Sequence, residues 1–145
     1  MNSLANQIFR KYTISDRYLE EGQALILSPR VLDAFLDHLE EERIFEVGKE
    51  TGSLTPRDQL LMRGKPSEYD TCIWFLTEIL DECYDWFDCE IHDEENHDLI
   101  FLRHLYNEKW SVFLAGYLES MFQELLELEV DIEYTARSLN FRLNK

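Results

Sequence analysis

Apolar residues recur at helical spacing over the first half of the chain and alternate at strand spacing over much of the rest. Leu4, Ile8 and Tyr12 lie four residues apart behind Ser3, which predicts a short amphipathic helix with a serine cap. Asp16 to Glu21 continues as helix and stops at Gly22, and Gln23 to Leu27 reads as a short strand ended by Ser28-Pro29. The same Ser-Pro pair starts a helix well, since serine caps and proline fits the first turn. Val31, Leu32, Phe35, Leu36 and Leu39 form its stripe, and Gly48 is the expected C-terminal stop. Lys49 to Gly52 then reads as a loop, with Thr55-Pro56 opening another short helix that ends near Gly64. Ser67-x-x-Asp70 resembles a capping box, and it precedes a long helical stripe that runs from Ile73 and Trp74 to Tyr84 and Phe87.

The period then changes from helix to strand. Phe87, Cys89 and Ile91 alternate with Asp88, Glu90 and His92, Asp93 to Asn96 is a polar turn, and Leu99 to Leu102 is apolar on both faces. This pattern predicts a hairpin whose second strand lies inside a sheet. Asn107 caps a helix with a wide apolar stripe from Trp110 to Leu125, suited to covering that sheet. Val130, Ile132 and Tyr134, then Leu139, Phe141 and Leu143, predict a closing hairpin with one wet face. The fold expected is therefore α+β: one domain over residues 1–145, with a helical N-terminal half packed on a small sheet and a strand–strand–helix–strand–strand C-terminal unit.

Charge changes this picture more than composition does. The chain carries 30 acids and 14 bases, a formal net charge of −16. Residues 1–65 hold 11 acids and 9 bases, whereas residues 66–145 hold 19 acids and 5 bases. No Lys or Arg occurs from Pro66 to Leu102. This balance argues against direct nucleic-acid binding through the acidic face. No run of eighteen apolar residues is present, so no membrane span is expected. The N-terminus lacks the apolar core of a secretory signal, and three cysteines make an odd number; reduced thiols and a cytoplasmic location are the expectation.

Candidate chemistry centres on Cys83-x5-Cys89-x2-His92-x4-His97, with His104 beyond it. Thiolates and imidazoles are zinc ligands, and four of them can close a tetrahedral site for zinc or another divalent cation. The spacing lacks a C-x2-C knuckle, and alternation puts Cys89 and His92 on opposite strand faces, so Cys89 reads more readily as a small buried hydrophobe. Asp93 to Asp98 is rich in oxygen ligands but lacks the glycine and the closing glutamate of an EF-hand loop. There is no nucleophile elbow and no phosphate-cradling loop, and acids around the cysteines raise their pKa values; no enzyme activity and no obligate cofactor are expected. The aromatic residues near the acidic segments are mostly core, with a remainder available as interface anchors.

The order of elements resembles ligand-sensing domains of the vinyl-reductase type and the related haem–nitric-oxide-binding domains. The residues that carry the resemblance are Gly48-Lys-Glu-Thr-Gly52 at a helix end, Gly116 inside the covering helix, and the closing hairpin Val130 to Leu143. It implies a sensor-like architecture with strand–strand–helix–strand–strand order and transfers no site residue. Two functions follow from this reading. The first is a regulatory or interaction protein (a regulator, inhibitor or antitoxin-like immunity protein) that binds a basic protein partner through Asp85, Asp88, Glu90, Asp93, Glu94, Glu95 and Asp98. The alternative is a small-ligand- or metal-sensing domain using Cys83, Cys89, His92 and His97, with His104 as a further contact. A homodimer is compatible with either.

Overall fold

The computed structural model describes residues 3–21 and 25–145. Helix α1 (Ser3–Lys11) runs on through a π-helical turn, Tyr12–Asp16, into α2 (Arg17–Glu21). The expected stop at Gly22 and the start of the expected strand at Gln23 lie outside the described residues. Leu25 to Leu27, the rest of that strand, are exposed and form neither helix nor strand. Helix α3 (Pro29–Asp37) starts behind Ser28 with proline in its first turn, as the Ser-Pro pair predicts.

The largest departure from the sequence reading is α4, Glu41–Met62. It is one continuous helix where a stop, a loop and a second helix were expected. Gly48 and Gly52 sit inside it, on the buried face with Ile44, Pro56 and Leu60. The reason is tertiary. A methyl group on Gly48 would overlap the Phe113 carbonyl and lie 3.0 Å from the Tyr117 amide nitrogen, and one on Gly52 would lie 2.7 Å from the Tyr117 carbonyl carbon and Cα. From the other side, a methyl on Gly116 would overlap the Phe45 carbonyl. These glycines let α4 meet the covering helix α6 (Lys109–Leu126) backbone to backbone, in the most extensive contact of the fold. Burying that face outweighs the helix-breaking tendency of two glycines and a proline. The glycine that does end the helix is Gly64, at φ +63, a left-handed conformation that side-chain-bearing residues enter at a cost.

Helix α5 (Tyr69–Trp74) continues as a π-helical segment, Phe75–Cys83, that buries Phe75, Leu76, Ile79 and Leu80. Strands β1 (Asp88–Asp93), β2 (His97–Arg103), β3 (Ile132–Tyr134) and β4 (Ser138–Asn144) form one antiparallel sheet in the order β1-β2-β4-β3. Strand β2 is thus internal, as its two-sided apolar character predicts. Asp98, Ile100 and Leu102 of β2 and Leu139, Phe141 and Leu143 of β4 are buried against the helices. The fold is α+β, with helices leading and strands framing α6 towards the end.

Candidate functional site

Strand alternation sorts the acidic hairpin into two faces. Asp88, Glu90 and His92 of β1 point to the outer side, with Phe101 and Arg103 of β2 across from them. That outer side is not uniformly acidic. Arg103 donates to Glu90 at 3.0 Å, His92 lies 3.0 Å from the same carboxylate, and Arg142 is exposed on β4. Glu94 and Glu95 are exposed in the turn, with Glu94 Oε2 3.5 Å from His97 Nε2.

Asp98 corrects the expectation that all seven candidate acids share an exposed surface. It is buried, accepts a 2.7 Å hydrogen bond from the Tyr69 hydroxyl, and lies 3.3 Å from Lys145 Nζ. Period-two alternation places it on the inner face with Ile100, a face an acid rarely occupies without partners. Lys145 also pairs with Asp93, whose carboxyl is thereby held below its ordinary range while the lysine is pushed up. Tyr69 is pushed up by burial and by its bond to Asp98. These groups line an open groove between α5 and the sheet, with Ile73 and Ile91 as its apolar wall.

A different acidic corner forms where the π-helical segment hands over to β1. Asp81, Glu82, Asp85 and Asp88 meet there, and none of them has an ion-pair partner among the described residues. Asp81 accepts the Cys89 amide at 2.9 Å; burial raises its pKa, and the neighbouring Asp88, Glu82 and Asp85 raise it further. Asp85 adopts φ 54, and its carbonyl accepts the Tyr106 hydroxyl at 2.5 Å. Beneath the corner, Trp86 packs edge-on against Trp110, Phe113 and Tyr117 at centroid distances of 5.3, 5.9 and 5.1 Å. The aromatic residues near the acids therefore support the corner rather than stand out from it; the exposed apolar residue beside it is Leu105, next to Tyr106. Asp81 and Glu82 belong to the base-free run, but only the fold shows that the helix end turns them towards Asp85 and Asp88.

The cysteine–histidine set is not brought together. Cys89 packs on the inner face of β1, and burial pushes its thiol up to about 12. Cys83 sits at the end of the π-helical segment near Ser15 and Lys11, raised chiefly by burial. His92 and His97 lie on the outer side of the sheet. Among the described residues, no three or more His, Cys, Asp or Glu side chains are arranged to hold a metal ion. Burial, not the neighbouring acids, dominates the thiol shifts.

His104 is committed elsewhere. Its Nδ1 accepts the Tyr106 amide at 3.2 Å, which leaves the proton on Nε2 to be donated to Ser111 Oγ at 2.7 Å. Both residues are buried, and burial lowers the histidine to about 4. A base that activated the serine would have to accept its proton; this imidazole donates instead. Both ring nitrogens are engaged, so His104 holds structure and offers no free nitrogen to a ligand.

No helix among the described residues is long and apolar enough to cross a membrane. Comparison of the chain with protein-family models gives no match, and comparison with curated proteins gives none either.

Proposed function

We propose that this chain is a non-catalytic regulatory or interaction protein that docks a Lys/Arg-rich segment of a partner protein at the corner formed by Asp81, Glu82, Asp85 and Asp88. The observation that carries this reading is that none of these four carboxylates forms an ion pair among the described residues: Arg103, the cross-strand neighbour of Asp88, is bonded to Glu90, and Lys145 serves Asp93 and Asp98. Like charges held together without a paired cation raise the energy of the free protein, and a cation that arrives lowers it. Leu105, 86% exposed on the adjoining loop, adds an apolar contact beside the charges. The seven candidate acids thus narrow to Asp85 and Asp88 at the corner, with Glu94 and Glu95 at the far end of the hairpin as a rim that steers approach.

Two triple reversals of equal net charge provide the test. Glu82→Lys, Asp88→Lys and Glu95→Lys together should weaken the salt-sensitive capture of a basic partner, and of a Lys/Arg-rich peptide, by about tenfold or more. Glu124→Lys, Glu127→Lys and Glu133→Lys, on the α6–β3 side, should change it by only about twofold, through the overall field. Equal losses from both triples would reduce the effect to bulk charge and overturn the docking corner.

A further inference from the structure

Val47, Leu54 and Leu61 lie seven residues apart on α4, opposite the face that packs on α6, and all three are exposed, Leu54 by 62%. Three apolar residues at a spacing of seven on the outside of a 22-residue helix, about 33 Å long, make a narrow seam, with polar Thr51 and Asp58 where a coiled coil would repeat its apolar residues. We infer that this seam pairs with the same seam of a second copy of the chain, the two α4 helices running antiparallel about a two-fold axis at Leu54.

The charges beside the seam favour this occupant. Glu50 and Arg57 lie on the same flank of the row, are both exposed, and have no ion-pair partner in their own chain among the described residues. In an antiparallel helix pair, residues on the same flank face each other. A two-fold axis at Leu54 sets Leu54 on Leu54 and Val47 on Leu61, and brings Glu50 of each copy beside Arg57 of the other. The complementary pair therefore forms twice, as an isologous interface requires.

One further observation points the same way. Residues 1–65, which include α4, carry 11 acids and 9 bases, so two such faces approach with little repulsion. The strongly acidic remainder would repel its own copy at short range. The dimer uses a face other than the acidic corner, so it stands or falls separately from the proposed docking function.

Sedimentation of the full-length chain across micromolar concentrations tests the pairing. The wild type should show a reversible monomer–dimer equilibrium. Leu54→Glu should shift it towards monomer by at least ~30-fold in Kd, because each change occurs twice at the centre, with unchanged circular dichroism since the residue is exposed. Glu50→Lys and Arg57→Glu should each weaken dimerisation about fivefold, and the double swap should return to within about twofold of wild type by restoring the pairs with reversed sign. A chain monomeric at 200 µM, a dimer indifferent to Leu54→Glu, or a double swap no better than the singles would each overturn the antiparallel α4 interface.

Discussion

The N-terminal helices and the C-terminal sheet unit treat their apolar residues in opposite ways. Helices α1 and α2 bury no residue, the π-helical turn between them buries only Ser15, and α3 buries only Leu36. Strands β2 and β4, by contrast, bury every second side chain, and α6 is buried along most of its length. Short helices without a buried face are marginal in water, so the folding free energy is concentrated in α4, α5 with its π-helical continuation, α6 and the sheet. Helix α4 belongs to both regions: its inner face is closed by glycine contacts, and its outer face has the exposed character of the helices before it. The contrast locates stability on the inner side of α4 and leaves its outer side exposed.

The most damaging way to break this contrast is to put a side chain where the two regions join. Gly52→Val should cost about 3 kcal/mol or more in urea unfolding, because both partners in the clash are backbone and cannot move aside. Leu54→Ser, two residues on but on the outer face, should change the stability of the diluted chain by about 0.5 kcal/mol or less. A similar cost at both positions would mean that α4 is not divided in this way.

The buried imidazole of His104 ties the loop after β2 to the start of α6. In the unfolded chain His104 takes up a proton near its ordinary pKa of 6.5, whereas the folded protein resists until about 4. Its contribution to stability is therefore present above pH 6.5 and is lost as the pH falls towards 4. Between pH 6.5 and 4.5 the wild type should lose about 2 kcal/mol from this residue. The slope should flatten in His104→Leu, measured by denaturant titration at each pH; an unchanged slope would assign the effect to other groups.

The smallest expected effect is a gain. Glu127 ends α6 at φ 57, with its own amide bonded to the Gln123 carbonyl and the Leu128 amide to the Phe122 carbonyl, an arrangement that glycine fills without strain. Glu127→Gly should stabilise the packed half by roughly 0.5–1 kcal/mol, read as a rise in thermal midpoint.

Much of the C-terminal unit was legible because strand alternation, the Asn107 cap and the wide stripe of α6 are local signals that agree with the final packing. Asn107 does accept the Lys109 amide at 2.9 Å. The helical front was read less well where one residue type serves two purposes. Gly48 and Gly64 look alike in sequence, yet one makes room for a neighbouring backbone and the other adopts positive φ; only the position of α6 separates them. Leu25 to Leu27 carry strand-like residues but find no neighbouring strand to pair with in the sheet. The candidate acids were partly legible for the same reason. Alternation alone placed Asp88 and Glu90 outside, and applied to β2 it would have placed Asp98 inside with Ile100. The corner at Asp81 was hidden because it depends on where a π-helical segment ends, and nothing in the local pattern marks that helix type.

At the three-glycine crossing, α4 and α6 touch through backbone with no rotamer to adjust, so they behave there as one strut. In a dimer joined along α4, that stiffness would hold the two acidic corners at a set separation. A ligand with two basic segments would then gain avidity only when its linker spans that distance, since effective concentration collapses for a tether that is too short and declines slowly for one that is too long. Spacing, as well as charge, would select the partner.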